Sequence, residues 1–149
     1  FCIGKNVQLY PNIYAALIKA NHTVGNHTQN HMNGWKNNTT NYIVDIQEAT
    51  KSISSNLFRP PYGRISFSQI KALRLDPSLP QEIIMWDVLS GDFDTTISGD
   101  QCAQNVIQHA GPGSIIVFHD SAKAMDRLRV ALPKVLSHFS KQGYQFKAL

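Results

Sequence analysis

Between Thr40 and Leu57 the apolar residues Tyr42, Ile46, Ala49, Ile53 and Leu57 recur at every third or fourth position, the period of one helix face. The same period runs through Ile13, Leu17 and Ala20 in "PNIYAALIKAN" (11–21). It returns in 122–140 with Met125, Leu128, Leu132, Val135, Leu136 and Phe139. Ser66 is predicted to cap a short helix carrying Phe67, Ile70 and Leu73, and Cys102, Val106, Ile107 and Ala110 mark another that ends at "GPG". "EIIMW" (82–86) and "SIIVF" (114–118) are different, because their apolar residues are continuous. Continuous runs suit parallel strands covered on both faces. "HTVG" reads as short and extended, and "FCIG" as the end of a strand. "LFRPPYG" reads as a strand end plus a loop, because two prolines in a row cannot continue a helix. Gly143 stops the last helix, and "YQFKAL" is predicted as a closing strand.

Strands and helices therefore alternate, which predicts a parallel α/β fold, most simply part of a barrel. The length of 149 residues suits one domain, 1–149, with a proper core. A hydrophobic fraction of 42% and a charged fraction of 16% are ordinary for a soluble protein, and no run reaches transmembrane length. The net charge of +4 raises nucleic acid as a partner, but the cations are spread along the chain. The densest cluster, Lys123, Arg127, Arg129 and Lys134, lies on an amphipathic helix and reads as a solvated face, so no nucleic-acid partner is expected. Cys2 and Cys102 are too few and too far apart for a disulfide framework and read as buried thiols. Sequons begin at Asn21, Asn26, Asn37 and Asn38 and read as accidental composition. The chain opens without Met, and the sequence predicts a start inside a longer protein.

The candidate chemistry begins with "GNHTQNHMNGW" (25–35), where His27 and His31 stand four apart. That spacing puts both imidazoles on one face of a helical turn, a chelating geometry. Six histidines in 149 residues yield such a pair by chance in roughly one chain in four, so the pair alone decides nothing. Position 28 is not Glu, so this is not a protease helix carrying its own base. More telling is where the polar residues fall. His27 and His31 follow the extended 23–25, and Arg59 follows "LF". Asp87 and Asp92 follow "EIIMW", and His119 and Asp120 follow "SIIVF". Parallel α/β folds assemble active sites at such strand ends, so a shared catalytic mouth is expected.

These residues carry a resemblance. "HTQNH" resembles the H-[ST]-x-x-H metal motif of the polysaccharide deacetylases, the NodB-homology domains of carbohydrate esterase family 4. "RPPYG" resembles that family's third motif, and "VFHDS" its terminal motif with the catalytic His. "WDVLSGDF" is similar to the fourth motif, with Phe93 where the family usually has Trp. The resemblance covers essentially the whole chain, in the family's motif order. It implies an incomplete, distorted (β/α) barrel of mostly parallel strands with flanking helices. It also implies a hydrolase that removes acetyl groups from N-acetylated, or O-acetylated, sugars of a polysaccharide such as peptidoglycan or chitin-like oligomers, at the cell envelope or secreted.

By the same resemblance, His27 and His31 hold one divalent metal ion, zinc first, with cobalt, nickel or manganese as alternatives. Arg59 holds a base Asp, the Tyr62 N–H faces the oxyanion, and His119 protonates the leaving amine. Asp92 keeps His119 an acid near neutral pH. Trp86, Phe93 and Val117 are the substrate-binding side chains, with Phe93 and Val117 lining the groove for the acetyl methyl. The family's opening T-F-D-D-G motif, which supplies the base Asp and a metal-binding Asp, has no counterpart, since the chain contains no Asp-Asp pair. The expectation is an N-terminally truncated catalytic domain that lacks its base. Two other readings are a metal-dependent amidase on a non-sugar amide or cyclic imide, and a catalytically dead carbohydrate-binding relative. Nucleic-acid binding through the basic charge would show a steep salt dependence.

Overall fold

The computed structural model describes residues 1–149, which pack as two units: 1–85 with 148–149, and 86–147. In the first unit come α1 (Gly4–Leu9), α2 (Pro11–Lys19), α3 (Thr39–Thr50), β1 (Leu57–Phe58), α4 (Phe67–Leu75) and β2 (Glu82–Ile83). Pro11 occupies the first position of α2, where its missing N–H has no partner to lose. The Asn38 side chain accepts the Asn41 N–H and starts α3. Ser66 and Gln69 form a capping box at the head of α4, as the N-cap reading of Ser66 expects. β1 and β2 run parallel, Leu57 opposite Glu82 and Phe58 opposite Ile83. Asn26 adds single parallel bridges to Cys2 on one side and Phe58 on the other. Beneath them Tyr42, Ile46, Phe58, Leu73 and Leu79 form the core, with the Tyr42 ring edge-on to Phe58.

The second unit holds β3 (Val88–Leu89), α5 (Gly99–His109), β4 (Ile116–Val117) and α6 (Met125–Lys141). β3 and β4 are parallel, Val88 opposite Ile116 and Leu89 opposite Val117. Ser98 and Gln101 make a second capping box. The first turn of α5 lies so close to α6 that a Cβ at Gly99 would sit 2.5 Å from the Val130 Cβ. Val88, Cys102, Ala103, Val106, Ala131, Val135 and Phe139 form this unit's core.

The α/β class and the parallel pairing match the sequence reading; neither sheet closes into a barrel. Several expectations fail for local reasons. The helix expected over Thr40–Leu57 ends at Thr50. Beyond it the Ser55 hydroxyl donates to the Val24 carbonyl and accepts the Leu57 N–H, which draws the chain out into β1. "HTVG" makes no strand, and "YQFKAL" makes none because no neighbouring edge pairs with it; Tyr144 instead packs on Phe139. Phe67 does not join the α4 core face and is 92% exposed. α1 and β3 had no distinct signal in the sequence. Both cysteines are free, Cys102 buried and Cys2 half-buried. Asn26 is fully buried and donates to the Ile46 carbonyl, leaving no room for a glycan on that sequon. No helix is long and apolar enough to cross a membrane.

Candidate active site

In the first unit the two histidines lie in a loop, which corrects the helical-turn expectation. Thr28 and His31 both adopt positive φ, 62° and 57°, so no turn of helix forms between the imidazoles. They are neighbours all the same, with ring centroids 5.0 Å apart. Buried polar groups hold the loop in this shape. The Asn26 side-chain oxygen accepts the Thr28 N–H at 2.8 Å, and the Thr28 hydroxyl accepts the Met32 N–H at 3.1 Å. Asp45, buried on α3, accepts the Asn30 N–H at 3.0 Å and the Asn30 side-chain N–H at 2.6 Å.

Two further residues dress the pair. The Arg59 carbonyl takes the Nδ1–H of His27 at 2.6 Å, which fixes the neutral tautomer with its lone pair on Nε2. Burial drives the His27 pKa down to about 3, with His31, the N-terminus and Arg59 adding repulsion, so the ring is neutral at physiological pH. His31 Nδ1 lies 3.1 Å from the Tyr62 hydroxyl, and the two rings meet edge-on at 4.7 Å. Tyr62 itself is held at φ 59°, ψ 10°, a left-handed conformation that is costly for a bulky residue and that concentrates at functional sites. The Arg59 guanidinium donates from Nε and Nη2 to the carbonyls of Ile84 and Met85, both at 3.1 Å, and stacks over the Phe1 ring at 4.0 Å. Its burial lowers its pKa to about 10, still fully charged at neutral pH.

Two neutral imidazoles with fixed or fixable tautomers are suitable zinc ligands. They supply two donors, and no set of three His, Cys, Asp or Glu able to hold a metal ion forms in the chain. The residues present therefore fit as part of a ligand set, not as a complete one.

In the second unit the chemistry is built on Asp92 and His119. Gly91, at φ 83°, lets the chain turn after β3 and delivers Asp92 into the interior, where it is fully buried. Asp92 Oδ1 accepts the Nδ1–H of His119 at 2.6 Å, and Oδ2 accepts the His119 backbone N–H at 2.5 Å. Burial pushes the Asp92 carboxyl pKa up, but the two hydrogen bonds and the charge of His119, with help from Ser90, outweigh it and hold it below the usual carboxylate range. The His119 side chain is 41% exposed and meets the Phe93 ring edge-on at 5.5 Å. Below Asp92, buried Arg127 donates from Nε to the Asp92 carbonyl at 2.7 Å and from Nη2 to the Lys123 carbonyl.

His27, His31, Arg59 and Tyr62 are thus linked within the first unit, and Asp92, Phe93 and His119 within the second. Val117 is buried and enters only through its carbonyl, which accepts the Ser90 N–H at 3.1 Å, while Trp86 is half-buried ahead of β3. Asp87 accepts the Ile115 N–H at 2.8 Å, a structural task, and Asp120 is exposed. Sequence reasoning missed Asp45, and Arg127, expected on a solvated cationic face, is instead buried. A signal existed for both, because each interrupts the buried stripe of its helix: Asp45 among Tyr42, Ile46 and Ala49, and Arg127 among Ala131, Val135 and Phe139.

Comparison with known proteins gives four findings. A family model described as "Polysaccharide deacetylase" matches residues 1–75. A peptidoglycan-N-acetylglucosamine deacetylase of Bacillus cereus is 30% identical over 156 residues, covering 100% of this chain, which spans 55% of that relative's length. Chitin deacetylase 2 of Saccharomyces cerevisiae is 28% identical, covering 91% of this chain and 46% of the yeast protein. Among solved structures, a peptidoglycan N-acetylglucosamine deacetylase in complex with 4-naphthalen-1-yl-N-oxidanyl-benzamide superposes with a TM-score of 0.89 at 28% identity. That match covers 100% of this chain and 71% of the other.

Proposed function

The chain belongs to the polysaccharide deacetylase family, and from that premise we propose a metal-dependent hydrolase that removes acetyl groups from N-acetylated sugars of peptidoglycan or a chitin-like polymer. The observation that carries this reading is the contrast between two histidines held by the same ring nitrogen. His27 gives its Nδ1–H to a carbonyl and stays neutral, a ligand; His119 gives its Nδ1–H to a buried carboxylate, which orients the ring as a positioned acid is oriented.

His27 and His31 are the residues that would hold a divalent ion, zinc first by donor type. Such an ion supplies Lewis acidity toward the acetyl carbonyl and makes water more acidic. The ligand of the solved relative, an N-hydroxy amide, belongs to a class that chelates divalent metals through its two oxygens, which supports this reading. No backbone acceptor takes the Tyr62 N–H, so the strained turn leaves a donor for charge developing on the carbonyl oxygen. His119 transfers the proton on Nε2 to the departing amine nitrogen as the C–N bond breaks, while Nδ1–H stays on Asp92. By the family resemblance Arg59 would orient a carboxylate base, and Phe93, Val117 and Trp86 would shape the acetyl and sugar contacts. The wall-polymer substrates named for the bacterial relatives favour an envelope-associated or secreted setting.

Release of acetate from an N-acetylglucosamine oligomer and from peptidoglycan by the zinc-loaded full-length protein tests this reading. Release that a chelator stops, zinc restores and His119→Ala removes is the expected result. Indifference to chelator, or no release from either polymer, overturns it.

A further inference from the structure

A second feature of the first unit lies on the same two loops as the histidine pair. Trp35, four residues beyond His31, is 63% exposed, yet its ring is fixed. Its Nε1–H donates to the Ile65 carbonyl at 3.2 Å, its backbone N–H to Asn33 Oδ1 at 3.0 Å, and the Arg64 guanidinium stacks on it at 4.0 Å from the ring centroid. The neighbouring Gly34 explains the rigidity. Its N–H donates to the Arg64 carbonyl at 3.1 Å, its carbonyl accepts from Gln69 Nε2 at 2.7 Å, and a Cβ there would lie 2.3 Å from the Arg64 oxygen. Only glycine lets the two loops approach this closely. Tyr62, two residues before Arg64, is 60% exposed and ties the same loop to His31.

An indole held this firmly, with so much of its surface left in water, has already met the ordering cost that a stacking platform would otherwise incur on binding. Arg64 is exposed and no carboxylate of the chain lies within ion-pair distance of it. Its ring-stacked guanidinium keeps in-plane N–H donors at the platform's rim, a geometry matched to a carboxylate. We infer that Trp35 and Arg64 form a glycan subsite, in which the apolar face of a sugar ring stacks on the indole and a carboxylate carried by that sugar meets the guanidinium. This rests on the glycan-deacetylase reading and adds to it a preference for acidic over neutral glycans.

The test uses the full chain carrying His119→Ala, so that ligand is not consumed, titrated calorimetrically with two probes of equal length. One is a muramic-acid-containing oligosaccharide; the other is a neutral N-acetylglucosamine oligomer. The acidic probe is expected to bind several-fold tighter, and to perturb the tryptophan fluorescence. Adding Trp35→Ala should weaken both probes by roughly tenfold, the worth of one well-packed aromatic contact, while Trp35→Tyr, with an unchanged circular dichroism spectrum, should retain most of the affinity. Arg64→Gln should weaken the acidic probe more than the neutral one and so erase the preference. Unaltered binding in Trp35→Ala, or a preference that survives in Arg64→Gln, overturns the subsite. Binding of neither probe by the parent overturns the glycan reading as a whole, an outcome distinct from failure of the subsite alone.

Discussion

Asp92 grips His119 twice, its Oδ1 accepting the ring Nδ1–H at 2.6 Å and its Oδ2 the backbone N–H at 2.5 Å. One carboxylate thus sets both the tautomer of the imidazole and the position of the chain that carries it. Replacing Asp92 by Asn keeps the shape but offers the ring a donor as well as an acceptor, which permits the opposite tautomer. Asp92→Asn is expected to lower kcat by roughly 10²–10⁴-fold, the usual worth of a positioned acid, with KM little changed. Steady-state kinetics on an acetylated oligomer checks it, and a loss confined to KM would contradict it.

The same contact predicts an acid limit to stability. The Asp92 carboxyl is held below its unfolded value of about 3.9, so its contribution is fully present above that pH and is lost as pH falls through the folded value. Urea unfolding of the parent and Asp92→Asn should therefore show a stability gap that is widest near neutrality and narrows below about pH 4. A gap independent of pH would mean that the carboxylate's charge is not what stabilises the fold.

His27 makes a prediction of the opposite kind. Burial lowers its pKa to about 3, so between about 6.5 and that value the unfolded chain takes up a proton that the folded chain refuses. In metal-free protein the ¹⁵N resonances of His27 should stay at neutral-ring values from pH 7.5 to 4.5, with the proton on Nδ1. Titration near 6.5 would remove the case for a preset ligand tautomer.

Arg127 is buried and gives its donors to the carbonyls of Asp92 and Lys123. Arg127→Met leaves both carbonyls without that donor and should cost about 1–3 kcal/mol in unfolding free energy, with Arg127→Lys recovering part of it. An unaltered urea midpoint in Arg127→Met would show that water replaces the guanidinium freely.

How much of this could be read from the chain alone depended on how local each determinant is. The capping boxes at Ser66 and Ser98 and the continuous apolar runs that became parallel β2 and β4 act over a few residues, and they are legible. "YQFKAL" has strand composition, but a strand also needs a free neighbouring edge, and no sequence pattern reports one. The His27–His31 pair was legible as a pair but for the wrong reason. Its proximity comes from positive φ at Thr28 and His31, enforced by Asn26 and by Asp45 on a distant helix, and not from helical spacing. Asp45 went unread and Arg127 reads as solvent-facing, because a charged residue on an apolar stripe looks like a break in the pattern until its partner is known.

Zinc content per chain, measured for the intact protein and for His27→Ala, His31→Ala and His119→Ala after dialysis against trace metal, separates ligand from acid most directly. In the full-length protein about one zinc per molecule is expected, unchanged in His119→Ala, with loss of stoichiometric zinc in either of the other two. Retained zinc in His27→Ala and His31→Ala, or its loss in His119→Ala, would contradict the division of labour between the three histidines.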